Sequence, residues 1–97
     1  MIEKKRNKIC VRGHCLADDA DQMRQELLDI EGEVADNAKV ELDLSGLEEI
    51  DSAGLQLLIA FIKTLKKRKV TATLTRVEPQ LLSLLKLSGL TKFFKIA

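Results

Sequence analysis

Strand-like and helix-like segments alternate through the whole of this 97-residue chain, and that alternation constrains its fold more than any other feature. Residues 8–13 (KICVRG) are β-rich and end at Gly13, which predicts a strand. Leu16, Ala20, Met23, Leu27, Ile30 and Val34 then recur at steps of three and four, the stripe of an amphipathic helix whose other face is acidic. Gly32 weakens its last turn by about 1 kcal/mol relative to Ala, so the helix should end near there. Residues 39–47 (KVELDLSGL) set Val40, Leu42 and Leu44 against Glu41 and Asp43, the period of a half-buried strand closed by Ser45 and Gly46. Residues 53–67 are apolar almost all round and predict a helix deep in the core. The cations Lys66, Lys67, Arg68 and Lys69 complement the dipole at its C-terminus. Residues 70–77 (VTATLTRV) alternate as a strand, Pro79 opens a leucine-rich helix with Gly89 at its C′ position, and residues 92–96 (KFFKI) supply a last short strand. Strand and helix in strict turn imply a mainly parallel sheet with right-handed crossovers.

The stretch with the most chemical content is residues 48–61, EEIDSAGLQLLIAF, where an acidic strand end gives way to a helix start. Ser52 or Asp51 there can accept hydrogen bonds from free backbone N–H groups. A phosphate on Ser52 would be tolerated by the helix dipole, yet would add a charge of about −1.5 to −2 beside Glu48, Glu49 and Asp51. Ser52 is thus expected to be both a cap and a switch. Gly54 suits the switch reading, since a missing side chain one turn into the helix admits another backbone closely.

Composition removes several alternatives. At 45% apolar and 32% charged residues, a chain of this length can bury one core, and a single domain over residues 1–97 is expected. The N-terminus has no apolar h-region and residues 55–65 are too short and too polar to span a bilayer, so a cytoplasmic protein without membrane insertion is expected. Net charge is only +1, but residues 1–16 carry five basic and one acidic residue, 17–51 two and thirteen, and 52–97 nine and one. A surface this dipolar suits a charged protein partner, and with no Trp, no Tyr and three Phe there is little to stack nucleic-acid bases on. Cys10, His14 and Cys15 cluster in sequence, but a closed zinc site needs four ligands and the chain has no further Cys or His. They read as a strand and a loop cysteine, both reduced, with no metal. The glycines are too scattered for a phosphate loop, and Ser52 lacks both the G-x-S-x-G context and a nearby base. No cofactor and no catalytic activity are expected.

Residues 40–96, with the D-[ST]-[SAG]-G-L match at residues 51–55, the long apolar helix, the Pro-started helix and LSGL before the last strand, resemble the STAS domain. This family includes bacterial anti-sigma factor antagonists and the cytoplasmic tails of sulfate transporters. The resemblance covers nearly the whole chain, including VRG before the first helix. It implies an α/β fold with a mixed, mainly parallel sheet and helices packed on one face. From the residues themselves a core led by Val11, Leu27, Val40, Leu42, Leu58, Phe61, Leu74 and Leu85 is expected. The resemblance also implies a regulatory protein whose Ser52 is phosphorylated by an anti-sigma factor or histidine-kinase-like ATPase. The partner would meet a rim of Asp51, Ser52, Ala53, Gly54, Glu48, Glu49 and His14. Other members sit on phospholipid-transport ABC ATPases, often with Thr at the serine position, or are encoded among chemotaxis proteins. The chain departs from the family in lacking an evident first strand and in having GHCLAD where members have an acidic residue after the first loop glycine.

Overall fold

The structure, a computed structural model, describes residues 2–87 and 95–96. Among the described residues, five strands and three α-helices follow one another as β1 (Ile2–Lys5), β2 (Lys8–Cys15), α1 (Ala20–Glu33), β3 (Lys39–Ile50), α2 (Ser52–Lys67), β4 (Thr71–Thr75), α3 (Pro79–Leu87) and β5 (Lys95–Ile96), with a short 3-10 turn at Ala17–Asp19. The strands lie in the sheet in chain order. β1 runs antiparallel to β2, and every later pair is parallel. Each parallel step is bridged by one helix, and all steps go the same way along the sheet. Right-handed crossovers therefore stack all three helices on one face.

That face is the core. Ile9 and Val11 of β2, Val40, Leu42 and Leu44 of β3, and Ala72 and Leu74 of β4 are buried there at alternate positions, beneath Met23, Leu27 and Ile30 of α1, Leu58, Phe61, Ile62 and Leu65 of α2, and Leu81 and Leu85 of α3. All eight residues expected to lead the core are buried. The alternate strand positions face away from the helices, and among those of β1 to β4 only Asp43 and Cys10 are buried.

Three expectations are corrected. A first strand does exist: β1 pairs with β2 from Ile2 opposite Val11 to Lys5 opposite Lys8, through a two-residue turn in which Arg6 has φ 55°. Gly13 does not end its strand. With φ 76° it forms an irregularity, after which β2 resumes through His14 and Cys15. Ser45 and Gly46 do not close β3 either; the pairing slips between Cys10 and Arg12, and β3 continues to Ile50. Each glycine marks a bulge, where the ladder skips a residue and the strand goes on. The Gly89 cap and residues 92–94 of the last predicted strand lie outside the described residues, whereas Lys95–Ile96 form a strand as expected and pair with β4.

Candidate functional site

The strand ends assemble the site. β3 carries Glu48, Glu49 and Ile50 to the edge of the sheet, β2 sets His14 opposite Glu49 and Cys15 opposite Ile50, and α2 begins two residues after Ile50. Extending both strands past their glycines is what places His14 in this edge, and its Nε2 lies 3.4 Å from Glu48 Oε2 with both side chains exposed.

Asp51 is the hinge of the arrangement. Its backbone is extended, at φ −107° and ψ −174°, and it is the N-cap of α2. Oδ1 accepts from the Gly54 N–H at 3.0 Å, and Oδ2 accepts from the Ala17 N–H at 2.7 Å. These two bonds favour the ionised form and hold the carboxyl below the usual carboxylate range, against a lesser effect of desolvation. The Asp51 N–H donates to the Cys15 carbonyl at 3.3 Å, so the corner is sewn to both ends of the segment leaving β2.

The cap expected of Ser52 is corrected: it belongs to Asp51. Capping needs a non-helical backbone whose side chain reaches the N2 or N3 amide, and Ser52 is already the first residue of the helix. Ser52 is exposed and takes no part in the capping bonds. Its hydroxyl stands at the positive end of a 16-residue helix, close in sequence to three carboxylates.

Gly54 has a different role from the one expected. It is buried, and a Cβ built on it would lie 2.0 Å from the Cys15 carbonyl oxygen. The close backbone approach is internal, between the first turn of α2 and the end of β2. Asp51, Ser52, Ala53, Glu48, Glu49 and His14 are thus brought to one edge, while Gly54 lies beneath it holding α2 in place.

A groove of about 240 Å³ that the sequence does not reveal runs beside this edge, between β3 and α3, with a floor of Leu44, Leu47 and Leu81 and a lip of Glu48, Glu49 and Glu78. Only the placement of Glu78 just ahead of Pro79 hints at it, and only once α3 is known to border the same groove as β3. The cysteines are not gathered with His14. Cys15 joins the core, where burial first and Asp19 second push its thiol up, and Cys10 lies beside Asp43 on the other face of the sheet. Among the described residues no helix is long and apolar enough to cross a membrane.

Comparison with known proteins agrees with this architecture. The sequence model of the family described as "Mlab, STAS domain" matches residues 2–96. No curated protein matches the chain. Among solved structures, an anti-sigma factor antagonist from Mycobacterium paratuberculosis superposes with a TM-score of 0.75 at 22% identity, over 99% of this chain and 81% of that one. An anti-sigma factor antagonist (STAS) domain protein from Planctomyces limnophilus gives 0.74 at 19% identity, over 99% and 86%. The Bacillus cell fate determinant SpoIIAA in its phosphorylated form gives 0.69 at 20%, over 100% and 89%. At such identities the likeness is one of fold.

Proposed function

The chain belongs to the STAS domain family, and from that premise we propose that it is a non-enzymatic regulatory protein whose rim at Ser52 captures a protein partner and releases it when Ser52 is phosphorylated. The observation that carries this reading is the division of labour between neighbours: Asp51 makes the capping bonds, and the Ser52 hydroxyl is left exposed at the same corner. A histidine-kinase-like ATPase would transfer the γ-phosphoryl group of ATP to Ser52 Oγ, with ADP as leaving group and the hydroxyl proton lost to solvent. The product keeps its fold, because the helix N-terminus favours the new charge and Asp51 still caps. A docked partner is repelled, because about −1.5 to −2 is added beside Glu48, Glu49 and Asp51. The neighbouring groove, apolar within and acidic at its lip, suits a partner segment that offers an apolar side chain flanked by Lys or Arg. That a protein of the same fold was solved in a phosphorylated form supports the reading.

The apolar floor of the groove favours a second reading, in which the same rim clamps an ABC ATPase of a phospholipid transporter permanently, since lasting interfaces are the more apolar ones. The two are separated by mixing the purified chain with a candidate partner, a histidine-kinase-like ATPase or a phospholipid-transport ABC ATPase of the same organism, with and without ATP. The switch predicts phosphate on Ser52 by mass spectrometry and loss of the complex. A complex that persists in ATP with Ser52 unmodified contradicts the switch and supports the clamp.

A further inference from the structure

We propose that the sheet face turned away from the helices holds a binding site for a phosphate group, built by Arg12, Arg76, Lys5 and Lys8. No described helix covers this face, and the inference does not rest on the role of Ser52. The four cations line one concavity of about 260 Å³, together with Asp43 and the Ser45–Gly46 backbone. Its carboxylate is already committed: Asp43 Oδ2 lies 3.2 Å from Lys8 Nζ and Oδ1 accepts from the Ser45 N–H at 2.9 Å. Lys5 and Arg12 share one further carboxylate, Glu3, each at 3.9 Å and half-exposed or more. The Arg76 guanidinium makes no ion pair among the described residues. Positive charge in the concavity is therefore in excess by about two, which an incoming dianion would neutralise.

The placing of Arg12 is built into the backbone. At the bulge where the β2–β3 pairing slips, Arg12 falls opposite Gly46, and a Cβ on Gly46 would lie 2.8 Å from Arg12 Cγ. The glycine thus lets the arginine stem lie flat across β3. Two arginines can each offer a planar fork to phosphate oxygens, the two lysines add point charges, and the concavity has room for the group. A phosphate monoester free in solution and the same group on a lipid head are chemically equivalent here.

The test is an amide NMR titration of the full chain with inorganic phosphate and with glycerol 3-phosphate, at about pH 7.5 where phosphate is mainly dianionic, against chloride at matched ionic strength. Saturable shifts at Cys10, Arg12, Ser45, Gly46 and Arg76 that chloride does not reproduce are expected. Arg12→Gln with Arg76→Gln should weaken binding by about tenfold or more while leaving the melting temperature unchanged. Gly46→Ala, which alters no charge, should also weaken it by displacing Arg12. Flotation with vesicles containing phosphatidic acid, lost in the double variant, would make a lipid head the source, whereas binding of glycerol 3-phosphate without flotation would make it a soluble ester. Shifts that never saturate, that chloride matches, or that survive the double variant would overturn the proposal.

Discussion

Asp51 binds two backbone amides at once, that of Gly54 in its own helix at 3.0 Å and that of Ala17, thirty-four residues earlier, at 2.7 Å. One carboxylate thereby fixes both the start of α2 and the chain leaving β2, and it fixes the frame on which Ser52 is displayed. Asp51→Ala should lower the melting temperature and expose the Ala17 and Gly54 amides to faster hydrogen exchange. Equal exchange at both in the variant would contradict the tether.

The same bonds make stability depend on acid. A carboxyl held lower in the fold than in the unfolded chain contributes stability that is present above its unfolded value, about 3.9, and is lost as pH falls through the lower folded value. Asp51→Asn should remove this part of the acid response. Denaturant midpoints of parent and variant should converge as pH falls below about 4, and a constant gap would contradict it.

Glycines 54 and 32 should behave oppositely when changed to Ala. At Gly54 the new Cβ would meet the Cys15 carbonyl at 2.0 Å, so α2 must shift away from β2. A loss of about 1 to 3 kcal/mol or more is expected. Gly32 lies in α1 with nothing within 4 Å of an added Cβ, and Ala there should stabilise by about 0.5 to 1 kcal/mol. Chemical denaturation measures both, and a harmless Gly54→Ala would mean that α2 does not press on β2 as described.

Leu58 is wholly buried between α2 and the sheet. Its change to Ala should cost about 2 to 5 kcal/mol, depending on how far the site collapses. Arg68 offers a different kind of anchor: Nε is 2.7 Å from Asp36 Oδ1, Nη1 donates to the Glu31 carbonyl at 2.8 Å, and Nη2 donates to the Val34 carbonyl. It ties the end of α2 to the exit of α1. A lysine lacks the fork, so Arg68→Lys should recover little of what Arg68→Ala loses.

How far the sequence reveals this molecule varies with the range of the forces involved. The periodicity of α1, the apolar α2 and the proline at the start of α3 are local signals; α2 and α3 lie where their patterns predict, while α1 begins only at Ala20, leaving Leu16 of the predicted stripe ahead of it. β1 escapes such reading because IEKK has one apolar residue and Arg6-Asn7 is not a glycine turn; it is held by pairing with β2 and by burial of Ile2. Its lysines suit an edge strand that must not recruit another chain. Gly13 and Gly46 look like strand ends because a glycine that stops a strand and one that bulges it are alike in sequence. Asp51 and Ser52 are equally good caps by residue type, and the choice between them is made by Ala17, a contact no local rule contains. Likewise Gly54 advertises an absent side chain, but only the fold shows that its own Cys15 fills the space.

The most direct test is to measure, by calorimetric titration, the affinity of the histidine-kinase-like partner ATPase for the parent chain, for Ser52→Ala and for Ser52→Asp, with the melting temperature of each. Because Asp51 caps the helix, both variants should keep the parent's stability to within about 0.5 kcal/mol. Ser52→Ala should bind as the parent does, and Ser52→Asp, which adds a fourth carboxylate to Glu48, Glu49 and Asp51, should bind about tenfold or more weakly. Equal affinity of Ser52→Asp and the parent, with the complex mapped to this rim, would contradict the claim that charge at Ser52 controls capture.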